Sequence, residues 1–301
     1  MTETEYFEHL LDLPNVIGVE YDVGTVRAFV TGKVSEVDLD DADIVANNVD
    51  EESDVEEIGD LSQSNSLPDG EGERHIRHRP VESGVSEANI NGGVGTAGPY
   101  PVTVTDTSKG VWADGVSEGD TVRLSNNHVY ARSDKANLGE PIVQPSSSDG
   151  GTAVDRVGEL VGYVPLTDGV TVDLAARTVT EADESGKPHQ LDNRWPSAIV
   201  RDGYGDLKGA TVVKTGRTTG TARARVKATS ASVRVDYGKG KGPITLRDQI
   251  ITGQLSERGD SGSPVFVAET GELLGELYTG TSKATILYKA VNMEQEFGVE
   301  L

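Results

Sequence analysis

From Pro99 onward the chain is written in short β-type runs cut by glycine turns, and this pattern excludes most architectures. PYPVTVTD, TVRLSNNHVYA, RVGELVGYVPL, VTVDLAARTV, TVVKTG, ARARVKATSASVRVDY, DQIITG, SPVFVA and GELLGELYTG follow one another without an intervening helix. Alternating, β-branched runs bounded by glycine read as strands, and many of them at this spacing indicate a barrel or a sandwich. The expected class is mostly β. A polar insertion from Glu181 to Pro196 splits the region into halves of comparable length, which fits two barrels over about 92–180 and 197–290. One helix is expected at the end, over 287–297, where Leu287, Ala290, Val291, Met293 and Phe297 fall at helical spacing.

The first 58 residues form a different kind of unit. Tyr6, Phe7, Leu10, Leu11 and Leu13 share a helical face that Pro14 ends, and two alternating runs follow, Asn15 to Tyr21 and Thr25 to Gly32. A further strand is expected at 54–58, giving a small α+β unit. Residues 59–80 (GDLSQSNSLPDGEGERHIRHRP) are almost free of apolar side chains and read as a linker or exposed arm, with His75 and His78 solvated rather than metal-bound.

Composition narrows the partners. Fifty acidic against 27 basic residues give a formal charge of -23, which opposes nucleic acid and anionic membrane surfaces. It suits a protein kept soluble at high salt, where self-repulsion is screened. No cysteine is present, so disulfides, thiolate nucleophiles and cysteine-bound zinc are excluded. No stretch reaches the length of a membrane span, and MTETEYFEHLLDLPNVIGVE lacks the basic start and apolar run of a secretory signal. The expectation is a cytoplasmic, halophilic setting; a virion protein would have the same features.

Three residues carry candidate chemistry. A serine hydroxyl needs a base and donors for the oxyanion formed when it attacks a carbonyl. In the GDSG run, glycines on either side of Ser261 let the chain turn tightly and bring the N–H groups of Gly259 and Ser261 into one space. Taken alone, the tetrapeptide equally fits a surface turn. His128 ends the run TVRLSNNH, where the chain leaves a barrel and an imidazole can reach another element. Asp173 lies within the apolar run VTVDLAA, and a carboxylate there needs a partner unless it faces solvent. Together they have the order and surroundings of a base, an orienting acid and a nucleophile.

Residues 92–298 resemble the trypsin and chymotrypsin family of serine peptidases in these segments: SNNH at His128, VDLA at Asp173 and GDSGSP at Ser261. RPVESGVS, LSNNHVYA, KTGRTTG and DQIITG are similar to a cysteine-free subgroup of microbial and narrow-leaf-type plant proteins that also carries a small N-terminal unit. The resemblance implies a double β-barrel and an endopeptidase that needs no cofactor or metal and acts on peptide or protein substrates. It makes Ser261 the nucleophile, His128 the base and Asp173 the residue that orients the base. The same resemblance puts Leu255 at the base of the specificity pocket, arguing against Lys or Arg there and for an apolar side chain. It also puts Tyr278 and Gly280 on the strand that binds substrate backbone, with Gly280 leaving the pocket mouth open. Secreted members free an apolar N-terminus by cleavage to pair with the aspartate before the serine, here Asp260. The segment that would supply one is missing, the corresponding junction being Arg79-Pro80, so Asp260 is expected to find another partner.

Other signals weigh less. GVGTAG (93–98) matches GxGxxG by letter but lacks the strand before it and the helix after it. The acidic run Asp38 to Asp43 lacks the glycine and glutamate of a calcium loop, and His189 has no ligands at metal spacing. Two other functions fit the sequence: self-processing at the 59–80 linker, and a non-catalytic scaffold whose N-terminal unit meets a protein partner or a second copy.

Overall fold

The computed structural model describes residues 2–61, 72–191, 197–238 and 240–301, so part of the expected linker (62–71) and of the polar insertion (192–196) lies outside the described residues. Strand pairing gives the expected mostly β, double-barrel fold with a small N-terminal unit. In the second barrel six strands form a ring, from Thr211–Gly216 through Pro264–Val267, Leu273–Gly280, Ala284–Lys289, Pro243–Gly253 and Gly220–Asp236 back to Thr211–Gly216. In the first, Thr121–Ser125, Ala175–Thr178, Arg156–Tyr163, Pro141–Val143 and Ala88–Asn89 pair in that order. Extended chain closes this ring: Gly84 N–H donates to the Ala97 carbonyl (2.8 Å) and Gly98 N–H to the Leu124 carbonyl (3.1 Å). The GVGTAG run is thus a barrel segment. A Cβ on Gly98 would lie 2.5 Å from the Leu124 carbonyl oxygen, which explains the glycine without a nucleotide.

Apolar residues fill both rings, with Val129, Ile142 and Leu160 in the first and Val212, Ile250 and Leu287 in the second. A third cluster joins them through Leu124, Leu174, Tyr278 and Tyr288. Each such side chain taken fully from water contributes about 1.5–3 kcal/mol. The first barrel also buries charge. Arg177 pairs with Glu87 and Glu184, each at 2.7 Å, and Arg123 pairs with Glu184 at 2.8 Å. Burial pushes the Glu87 carboxyl up, but Arg177 outweighs it and holds the carboxyl below its ordinary range. Glu184 belongs to the insertion, which here supplies the strand Glu184–Pro188 beside Val81–Ser83.

Several boundaries differ from the sequence reading. The N-terminal helix, Glu3–Asp12, is of the tighter 3₁₀ kind, and the last helix is Ala290–Phe297 because ATILYK, including Leu287, completes a strand. The strand expected at 54–58 is Glu52–Glu57. Residues 73–80 are not an exposed arm throughout. Arg74 is 6% exposed and donates to Thr215 Oγ1 and to the carbonyls of Gly84 and His189. His75, expected to be solvated, is buried with Nε2 2.9 Å from the Arg217 carbonyl. Polar side chains that answer barrel carbonyls leave no hydrophobic signature, so the sequence reads them as solvent-facing. His78 meets the Glu73 carbonyl, and His189 is buried with Nδ1 2.6 Å from Glu82. Among the described residues no helix is long and apolar enough to cross a membrane, and no group of three His, Asp or Glu is placed to hold a metal.

The N-terminal unit extends the second barrel rather than standing apart. Its strand Val16–Asp22 pairs with Gly220–Asp236 at Gly18↔Val233 and Val19↔Ser232, making one nine-stranded sheet. Buried Glu20 fastens the junction, with Oε1 accepting the N–H groups of Thr229 (2.7 Å) and Ser230 (3.0 Å) and Oε2 facing Arg27 and Lys208. Glu20→Gln should lower stability by about 1–2 kcal/mol, since the two cations keep Glu56 and Asp22 as partners. Calorimetry reads this as a fall in Tm of a few degrees; an unchanged Tm would mean that strand pairing alone fastens the unit.

Candidate active site

Pairing of Thr121–Ser125 with Ala175–Thr178, in the register Ser125↔Ala175, puts Asp173 beside the turn that follows Ser125. Neither candidate residue is in a strand. His128 lies in the single helical turn Asn127–Tyr130, and Asp173 just precedes Ala175. Asn127 N–H donates to the Asp173 carbonyl (3.2 Å), joining the two segments. The Asp173 carboxylate is fully buried. Its Oδ1 accepts the His128 backbone N–H at 3.0 Å, while Oδ2 accepts His128 Nδ1 at 2.7 Å and the Tyr237 hydroxyl at 2.8 Å. Three donors offset the cost of burying this charge. With Nδ1 donating, the acceptor of a neutral imidazole is Nε2, the atom a base requires.

Tyr237 follows the long strand Gly220–Asp236 and reaches from the second barrel into the first. Burial, then the Asp173 charge, pushes its phenol well above the ordinary range, so it remains a donor. Sequence reading missed it, because one tyrosine at the end of an alternating run carries no mark of its contact. Glu276 was missed as well. Its Oε1 accepts from Asn126 (3.0 Å) and Tyr288 (2.7 Å) between the barrels. Burial pushes this carboxyl well above its ordinary range, the Tyr288 bond opposes that, and nearby Asp173 adds to it.

Ser261 lies on the second barrel's side of the junction. At Gly262, with φ +95°, the barrels meet closely: a Cβ there would sit 2.2 Å from Ser125 Oγ and 2.3 Å from the Thr96 carbonyl oxygen. Thr96 N–H donates to the Ser261 carbonyl at 2.8 Å. The Ser261 loop thereby rests on the Thr96 segment and on Ser125, the strand end that leads into His128. The Ser261 hydroxyl is turned to the Tyr278 carbonyl (3.2 Å), and among the described residues no hydrogen bond joins it to His128. The N–H groups of Gly259 and Ser261 are uncommitted to protein acceptors among the described residues, while their neighbours Asp260, Gly262 and Ser263 all donate to carbonyls.

Asp260 does find another partner. The Lys214 ammonium stands 3.0 Å from Oδ1, both side chains fully buried, a contact of charge rather than an aligned hydrogen bond. Thr218 N–H (2.8 Å), Glu257 N–H (3.0 Å), and the hydroxyl (2.8 Å) and N–H (3.2 Å) of Thr219 also donate to this carboxylate. Gly216 makes room for the pair, since a Cβ would lie 2.5 Å from Asp260 Oδ1.

The expected substrate-binding residues divide. Tyr278 presents its carbonyl to Ser261, and its ring stacks on Tyr288 at 5.8 Å. Gly280 borders two hydroxyls: a Cβ there would meet Ser256 Oγ at 2.6 Å and Thr285 Oγ1 at 3.3 Å, and these two bond each other at 2.9 Å. Leu255 is 2% exposed and packs its side chain in the second barrel's apolar cluster, six residues before Ser261.

Two antiparallel β-barrels with this constellation at their junction define the class of protein the fold describes. No protein-family model matches the chain, and no curated protein is similar to it in sequence. Among solved structures it is similar to Thermobifida fusca Protease A, at 18% identity and a TM-score of 0.47 over 73% of this chain and 97% of that one. It is likewise similar to Nocardiopsis protease (17%, TM-score 0.47, 73% and 98%) and to Cellulomonas bogoriensis chymotrypsin (16%, TM-score 0.45, 73% and 97%).

Proposed function

We propose that the chain is a serine endopeptidase in which Ser261, His128 and Asp173 act as nucleophile, base and orienting acid. The observation that carries this reading is the buried Asp173 holding His128 Nδ1 at 2.7 Å, which leaves Nε2 as the acceptor of a neutral imidazole. A substrate strand laid along Tyr278 to Gly280 offers its own N–H to the Tyr278 carbonyl and releases the Ser261 hydroxyl to His128. Ser261 Oγ then attacks the scissile carbonyl as His128 Nε2 takes its proton, and the oxyanion is met by the N–H groups of Gly259 and Ser261. Collapse breaks the C–N bond, with His128 returning the proton to the leaving amine. Water hydrolyses the acyl-enzyme by the same steps. Asp173 stays ionised and stabilises the imidazolium. No cofactor enters this scheme. The charge of -23 supports a high-salt setting and weighs against nucleic acid and membrane partners.

The test is labelling by a serine-directed phosphonate at high and low salt, comparing the parent with Ser261→Ala. Labelling of the parent alone is expected. Label that persists in the mutant, or none on folded parent at either salt, overturns the assignment and leaves the scaffold reading. One observation favours self-processing as a second reading: Ile58 and Gly59, which lead into the linker, lie against Thr281 immediately after the Gly280 strand. An intact mass unchanged after long incubation of probe-reactive protein removes it.

A further inference from the structure

We propose that Thr218 is the positioning residue of the oxyanion hole, setting the Arg258–Gly259 peptide so that its N–H faces substrate without help from a partner or a cut. This rests on the peptidase reading and specifies how the site is made ready. A trans peptide directs its carbonyl and its N–H to opposite sides. The Thr218 hydroxyl donates to the Arg258 carbonyl at 2.8 Å, drawing that oxygen into the turn that follows Thr211–Gly216. The Gly259 N–H is thereby turned out of it. Were the peptide reversed, the carbonyl would occupy the place where the oxyanion forms, and Thr218 would lose its acceptor.

The hydroxyl has no freedom to change roles. Arg217 Nη1 donates to Thr218 Oγ1 at 3.0 Å, so the single hydroxyl proton is committed to Arg258. Arg217 is itself fixed, with Nε 2.9 Å from Asp149 Oδ2 and Nη2 on Oδ1. Backbone geometry matches this arrangement. Gly259 has φ +101°, in the region that favours glycine, and a Cβ there would lie 2.5 Å from Thr218 Oγ1. Thr218 also gives its backbone N–H to Asp260, so one residue grips the loop on both sides of Gly259.

Thr218→Val removes the donor while keeping the shape and the backbone bond, and Thr218→Ser keeps the donor. With a fluorophosphonate as probe and casein as substrate, Thr218→Val should lower the labelling rate at Ser261 and kcat by about 10- to 100-fold, with KM within about threefold. Thr218→Ser should recover to within about threefold of the parent. Equal rates in parent and Thr218→Val, or a Thr218→Ser variant as slow as Thr218→Val, overturn the proposal while the active parent leaves the peptidase reading standing. A parent that neither labels nor cleaves removes that reading first. If Thr218→Val melts early, Thr218→Ala is read by the same criteria.

Discussion

Asp173→Asn should lower kcat by about four orders of magnitude while leaving the fold in place, the size of effect expected when a Ser-His-Asp site is given the wrong tautomer. The sign follows from the contacts. Oδ1 must remain an acceptor for the His128 backbone N–H, so the new amide nitrogen takes the place of Oδ2, facing His128 Nδ1 and the Tyr237 hydroxyl. A donor there forces Nδ1 to accept, moves the imidazole proton to Nε2 and removes the acceptor that Ser261 needs. Tyr237 can reverse its hydroxyl and accept from the amide, so the buried cluster stays satisfied. Steady-state kinetics and a thermal melt separate the two effects: kcat collapses and Tm moves by only a few degrees. Retention of kcat within tenfold would show that Asp173 is not the orienting acid.

The sequence made that residue visible for a physical reason. A carboxylate inside VTVDLAA has to be paired or solvated, and pairing with His128 settles which. The barrels were equally legible, because strand period and glycine turns are local properties. What stayed hidden depends on contacts across the chain. Tyr237 reaches its partner over 64 positions, and Lys214 and Asp260 come from strands and loops that only closure of the ring brings together. Arg74 and His75 look like a solvated tract until the barrel carbonyls they answer are in view.

Lys214→Met should be the most damaging single change to the fold of the nucleophile loop. Burial pushes the Lys214 ammonium below its ordinary range while the Asp260 charge opposes that, so each member of the pair makes the other tolerable. Removing the cation leaves a fully buried carboxylate with only neutral donors in hydrogen-bond contact and Arg74 as its remaining nearby charge, at a cost of about 3–5 kcal/mol. For a chain of this size that is a fall in Tm on the order of 10 °C. Activity should fall further than stability explains, since Asp260 adjoins both Gly259 and Ser261 and its displacement moves both N–H groups. Lys214→Met combined with Asp260→Asn separates charge from shape. No charge is then stranded, so most of the lost Tm should return, but an amide cannot accept on both sides as the carboxylate does from Thr218 and Thr219. The double variant should therefore be stable and slow. A single variant as stable and as active as the parent would mean that the hydrogen-bond shell, not the lysine, holds Asp260. The expected result instead makes an internal side chain the permanent partner of that aspartate, and a chain so equipped needs no cut at Arg79-Pro80 to become active: Arg79→Gln should cleave substrate as fast as the parent.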